Sequence, residues 1–155
     1  MEQRKIAVLS DTHRLLRSEV LAACEGADAI LHAGDVGDAS ILDRLRAIAP
    51  VTAIRGNIDT HGLCRDLPAT DMVELGEITA YLVHSVADLD IDPIAAGVQV
   101  VISGHSHRAA EERRKGVLFL NPGSVGPRRF KLPITMAYLH VSGRNLTVEH
   151  VRFDV

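Results

Sequence analysis

A chain of 155 residues, 46% of them hydrophobic, is long enough to bury a sizeable core, and a formal net charge of −3 lacks the basic footprint of a protein that tracks a nucleic-acid backbone. Aromatic content is 3% with no Trp, so the core must be built from Ile, Leu, Val and Ala. No apolar run approaches the ~18 residues of a bilayer span. The opening Met1-Glu2-Gln3-Arg4-Lys5 has no signal-peptide pattern, and Arg152-Phe153-Asp154-Val155 carries no lipidation signal, so the expected location is the cytoplasm. Cys24 and Cys64, 40 positions apart, fit neither a metal knuckle nor a disulfide framework; Cys24 reads as a core residue and Cys64 as a plain loop cysteine.

In chain order, Lys5–Ser10 is an apolar run with a sharp polar end, which predicts a buried strand. Residues Leu15–Glu25 have helical spacing, Ala27–Ala33 is a second strand, and Ala39–Ile48 a second helix capped near Asp38. Val51–Arg55 is a third strand. This strand-helix-strand-helix-strand opening predicts parallel strands with right-handed crossovers. Short strands are then expected at Met72–Leu75, Ile78–Val83, Val98–Ser103, Gly116–Asn121, Thr135–Val141 and Leu146–Phe153, with turn signals that suggest antiparallel hairpins. Pro93 limits any helix over Asp92–Ala96 to a short one. With no repeat or linker, residues 1–155 are read as one domain.

The chemistry lies where the strands end. Asp11-Thr12-His13 follows the first, Gly34-Asp35-Val36-Gly37-Asp38 the second and Gly56-Asn57-Ile58-Asp59 the third. His84 ends the Ile78–Val83 strand, and Gly104-His105-Ser106-His107 follows Val98–Ser103. In open α/β sheets ligands bind outside the carboxyl ends of the strands, so these side chains can converge. Asp11, His13, Asp35, Asn57, His84, His105 and His107 offer mixed imidazole and oxygen donors that suit Mn²⁺, Fe²⁺ or Zn²⁺. No thiolate joins them, which argues against structural zinc. Asp35, on a Gly-flanked turn, is placed to give one oxygen to each of two ions. Each piece alone is ordinary, since Asp and Asn after strands are common turn residues and helix caps. Caps do not explain four histidines at strand ends. His32, His61, His140 and His150 are assigned to structure or surface.

This pattern resembles the calcineurin-like metallophosphoesterases, whose signature runs Asp-x-His, Gly-Asp-x-x-Asp, Gly-Asn-His-Asp/Glu, a lone His and Gly-His-x-His. Asn121-Pro122-Gly123-Ser124 extends the match beyond His107, and the compact length is similar to the small YfcE-type phosphodiesterase branch. The resemblance implies an α/β fold, a four-layer αββα sandwich of two facing mixed β-sheets flanked by helices. It further implies that Asp11, His13, Asp35 and His107 hold one divalent ion, and Asp35, Asn57, His84 and His105 another. Mn²⁺ is the metal expected, with Fe, Zn or Ni as substitutes. Two departures stand out: Ile58 occupies the position where many larger members carry a proton-donating histidine, and Ser85-Val86 follow His84 where close relatives have Gly-His.

The expected activity is hydrolysis of phosphodiesters by a hydroxide bridging two metals, with roughly one net positive charge left in the pocket to favour an anionic phosphate. Among the ligands, Asp35, Asn57 and His105 are expected to bear most directly on catalysis. The expected partner is a small phosphate-ester substrate, with no membrane and no stable nucleic-acid complex; homo-oligomerisation is left open. Arg128, Arg129 and Lys131 suit a phosphate or a solvated loop equally and are not assigned to the site. The rival reading is a protein-interaction scaffold on the same fold, as in a retromer subunit. Nucleotide-binding modules are excluded by the absence of G-x-x-x-x-G-K-[ST] and G-x-G-x-x-G.

Overall fold

The computed structural model describes residues 3–155; Met1 and Glu2 lie outside the described residues. Two five-stranded sheets face each other. The first contains β1 (Gln3–Leu9), β2 (Ala29–His32), β3 (Val51–Ala53), β9 (Ile134–Ser142) and β10 (Asn145–Phe153), in the order β10-β9-β1-β2-β3. β1, β2 and β3 run parallel, with Leu9 beside His32 and His32 beside Ala53. The β9–β10 hairpin closes the other edge antiparallel to β1.

The two-residue periodicity of β1 decides what each face meets. Ile6 and Val8 point into the cluster between the sheets, against Ile78, Leu82, Val100, Ile102, Leu118 and Leu120. Ala7 and Leu9 point the other way, onto α1 (Ser18–Ala23) and α2 (Ala39–Arg46) through Val20, Ile41, Leu42 and Leu45. Each fully buried Ile or Leu contributes about 1.5–3 kcal/mol by leaving water, which sets this register firmly. Asp38 caps α2 as expected, its Oδ1 accepting from the Ser40 N–H at 3.0 Å. α1 is shorter than the predicted 15–25 because Leu15 N–H closes a turn onto Thr12 O and Arg17 is extended.

The second sheet has the order β4-β5-β6-β8-β7: β4 (Thr70–Leu75), β5 (Ile78–Val83), β6 (Val100–Ile102), β7 (Ala109–Arg114) and β8 (Val117–Pro122). Its three inner strands β5, β6 and β8 are parallel, and both edges are antiparallel hairpin partners. The hairpin expectation therefore holds for β4–β5 and β9–β10, but not for β5–β6 or β6–β8. β7 is a strand the sequence reading lacks: its residues Ala109-Ala110-Glu111-Glu112-Arg113-Arg114 are all exposed and show no apolar alternation. The outer face of this sheet buries Tyr81, Val83, Val101 and Val117 under Leu89 and Ile91. These two precede α3 (Pro93–Ala96), a single turn capped by Asp92 and ended by left-handed Gly97. The four layers of the expected αββα sandwich are present, the last of them thin. Among the described residues no helix is long and apolar enough to cross a membrane.

Cys64 is corrected. It is buried in the 3₁₀ turn Gly62–Asp66 and packs in the apolar cluster under α2, rather than standing in an open loop. Cys24 is buried as expected.

Candidate metal centre

Because β1, β2 and β3 are parallel, their carboxyl ends lie along one edge, and the same holds for β5 and β6 in the facing sheet. All seven predicted residues meet there. Asp11 and His13 come from the loop after β1, Asp35 from that after β2 and Asn57 from that after β3; His84 immediately follows β5, and His105 and His107 follow β6. The loops are tied together by backbone bonds: Asp11 N–H to Gly34 O, His13 N–H to Asp35 O and Gly104 N–H to His84 O, at 2.8–2.9 Å.

Two groups of donor atoms result. In Asp11, His13 and His107, the ligating atoms lie within 4.8 Å of one another, as do those of Asp35, His84 and His105. His13 Nε2 is 3.5 Å from Asp11 Oδ1 and 3.3 Å from Asp35 Oδ2, and His107 Nε2 is 3.4 Å from Asp11 Oδ1. His84 Nε2 is 3.1 Å from both Asp35 Oδ2 and Asn57 Oδ1, and His105 Nδ1 is 3.3 Å from that same Asn57 oxygen. Asp35 thus stands between the groups through a single oxygen, Oδ2, rather than one oxygen toward each. Its Oδ1 is occupied by the Ile58 N–H at 3.0 Å.

The donor chemistry fits divalent cations. His84 Nδ1–H donates to Ala33 O at 2.7 Å, which leaves a lone pair on Nε2 facing two oxygens that are themselves acceptors. Asp11 Oδ1 and His13 Nε2 are buried with no hydrogen-bond partner among the described residues. Such a set repels itself unless a positive charge lies at its centre. Ligands about 2.0–2.2 Å from a common ion sit about 2.8–3.1 Å apart in octahedral array and about 3.3–3.6 Å apart in tetrahedral array, the range of the spacings found.

The acid–base balance of the protein reports the same crowding. Burial pushes the Asp35 carboxyl up, but His13, His84 and the Ile58 N–H more than offset this and hold it well below the usual carboxylate range. Asp11 is likewise lowered, burial being outweighed by His13, Ser10, His84 and His107. The carboxylates of Asp11 and Asp35 raise His13 to about 9. His84 rises too, burial opposing and Asp35 and Ala33 O prevailing, whereas burial lowers His107 with help from Arg129 and His13.

Close approach and strain mark the site. A Cβ on Gly56 would collide with the Asp35 carboxylate and backbone, and one on Gly104 with Ser10 Oγ and Asp11 Oδ2. Asp11, His13, Asp35, His105 and His107 all adopt left-handed φ of 46–71°. Each costs of order 1–3 kcal/mol for a residue with a Cβ, and such strain concentrates where geometry serves chemistry.

Sequence reasoning missed the supports. Ser10 Oγ donates to Asp11 Oδ2 at 2.6 Å, and the His105 N–H donates to the same oxygen at 3.1 Å. The Asp59 carboxylate accepts from the N–H groups of Val36, Gly37 and Gly56, binding the second and third loops together. Its signal was present in Gly56-Asn57-Ile58-Asp59, though not its role. Asn121 Nδ2 donates to Gly104 O and Ser106 Oγ, clamping the loop that carries His105 and His107. His32 is buried with its Nε2 3.0 Å from Thr12 Oγ1, while His140 and His150 pair with Glu149 and Glu111. His61 Nδ1 meets Thr60 Oγ1 at 2.7 Å, and His61 belongs to neither donor group. The Ile58 side chain is 37% exposed and offers no proton. Beside Asn57, His84 and His105 opens a cavity of about 580 Å³, lined also by Arg55, Asp88 and Asp90.

Comparison with known proteins gives a consistent picture. A probable metallophosphoesterase of Methanothermobacter thermautotrophicus is 32% identical over 160 residues, covering 95% of this chain and 91% of that protein. A Streptococcus pneumoniae protein described as a predicted phosphoesterase superposes with a TM-score of 0.78 at 24% identity, over 98% of this chain and 91% of that one. Vacuolar Protein Sorting 29 of Cryptosporidium parvum superposes with a TM-score of 0.78 at 17% identity, over 97% and 98% of the two chains, a likeness of fold. The model of the calcineurin-like phosphoesterase superfamily domain matches residues 5–144, and the chain belongs to that family of metallophosphoesterases.

Proposed function

We propose that this metal-dependent phosphoesterase hydrolyses phosphodiesters with two divalent ions, Mn²⁺ being the metal that serves it best. Asp11, His13, Asp35 and His107 would hold one ion, and Asp35, Asn57, His84 and His105 the other. The observation that carries this reading is Asp35 Oδ2, 3.3 Å from His13 Nε2 and 3.1 Å from His84 Nε2 while Oδ1 is engaged elsewhere. One oxygen facing two donor groups is the arrangement a pair of neighbouring cations needs. When bound, divalent ions supply Lewis acidity toward a phosphoryl oxygen and activate water at neutral pH.

The residues of the chain fix everything else. Ala33 O sets the tautomer of His84, Ser10 and the His105 N–H orient Asp11, and the Ile58 N–H orients Asp35. Asn57 and His105 face the 580 Å³ cavity, which gives a substituent of the phosphate room beside the second group. Ile58 supplies no proton to the departing oxygen, so the leaving group must depart as an anion. That favours aryl esters, because a phenolate is a far weaker base than an alkoxide and leaves without protonation.

The test is steady-state hydrolysis of bis(p-nitrophenyl) phosphate and p-nitrophenyl phosphate by Mn²⁺-loaded protein, against Asp35→Ala and chelated controls. Faster diester turnover that vanishes in both controls is expected. Diester hydrolysis no greater than in the Asp35→Ala control would instead favour a scaffold, the role compatible with an apolar Ile58 beside the site.

A further inference from the structure

Resting on the phosphodiesterase reading, we propose that the Pro127–Lys131 loop is the substrate-recognition arm of the site and selects nucleotide diesters: Arg129 grips the phosphate and Phe130 stacks on the base. The loop starts in contact with the first donor group. Ser124 Oγ donates to Asp11 O at 3.1 Å, and Gly126 presses on the carbonyls of Asp11 and Thr12 so closely that a Cβ there would collide with both. Arg17 Nη2 secures Gly126 O at 3.1 Å. Arg129 and Phe130 follow three and four residues after this anchored glycine, at the exposed tip of the loop.

The loop divides its cations by role. Arg128 is spent on structure, donating to Leu132 O at 3.3 Å and Val155 O at 2.9 Å. Among the described residues the side chains of Arg129 and Lys131 have no hydrogen bond or ion pair, and both are exposed. A guanidinium beside a phosphate site offers planar two-point binding of phosphate oxygens. Phe130 is 87% exposed and held at φ 56°. Every other Phe and Tyr is buried or half-buried. At this exposure Phe130 contributes little to the core, whereas a ring presented between cations suits a base, which stacks on an aromatic face while its phosphate meets the charges.

The experiment compares thymidine 5′-(p-nitrophenyl) phosphate with methyl p-nitrophenyl phosphate on Mn²⁺-loaded protein. The two release the same phenolate and differ only in the retained substituent. Wild type should show a KM about 5- to 150-fold lower for the thymidine ester, the range base stacking spans. Phe130→Ala should erase that preference and Phe130→Tyr keep it; Arg129→Ala should raise KM for both esters about ten-fold, with kcat changed far less and Arg129→Lys intermediate. Calorimetric binding of thymidine monophosphate to the same metal-loaded variants reads recognition without turnover. Were wild type to cleave neither ester, the phosphodiesterase reading would fail, and weaker monophosphate binding by Arg129→Ala and Phe130→Ala would still uphold the arm. Equal KM values for the two esters in wild type, or unchanged monophosphate binding in both variants, overturns it.

Discussion

The buried His32 gives a quantitative test of how the first two loops are held. Its Nδ1 accepts from the Gly34 N–H at 3.1 Å, so the ring proton sits on Nε2 and points at Thr12 Oγ1, which in turn donates to Val36 O at 2.8 Å. A second proton would have to enter Nδ1, against a donor. Burial, only partly countered by Asp11 and Asp59, lowers the group from 6.5 to about 4. Above pH ~6.5 neither the folded nor the unfolded chain protonates His32, and it leaves stability unchanged. As pH falls below that, the unfolded chain takes up a proton the native state refuses, and stability is lost at up to about 1.4 kcal/mol per pH unit until about pH 4. The loss between pH 6 and pH 4 is therefore of order 2 kcal/mol. Urea unfolding in EDTA, for wild type and His32→Gln, should show wild type losing that much more over this interval. Parallel losses in the two proteins would refute the reasoning, as would an NMR titration placing His32 near its ordinary value.

Three other outcomes are expected. Asp35→Ala and Asn57→Ala should lower turnover by at least about a thousand-fold, the scale of losing a metal-assisted step, while circular dichroism and unfolding midpoints remain those of a folded protein. Ser10→Ala removes only the hydroxyl that orients Asp11 Oδ2, and Mn²⁺ affinity by calorimetry should fall about 10–100-fold with little change in fold. Aryl diesters should be cleaved far faster than alkyl diesters because Ile58 cannot protonate a poor leaving group; equal rates would contradict that assignment.

The strand ends were legible because an apolar run halted by Asp, Asn or His is a local pattern, and parallel topology carries all such ends to one edge. The seven candidate ligands are of this kind. What brings them to ligand spacing is not local. Asp59 joins two loops across 22–23 positions, and Ser10 and the His105 N–H share one oxygen of Asp11 across the facing sheets. Left-handed φ at Asp11, His13, Asp35, His105 and His107 is uncommon for residues with a Cβ, and although Asp and His tolerate it better than most, residue type alone does not say which of them adopt it. β7 escaped because a fully exposed edge strand of charged residues lacks the alternation by which strands are recognised. Cys64 was misplaced because a five-residue 3₁₀ helix is too short to show a buried face.

The central claim, that one carboxylate oxygen serves two neighbouring cations, is tested most directly by counting metal. Calorimetric titration of chelator-stripped protein with Mn²⁺, checked by elemental analysis after desalting, should give two equivalents per wild-type chain. Asp35→Ala should retain less than one, since it removes a ligand from both groups. A single equivalent in wild type, or two retained by Asp35→Ala, would contradict the account.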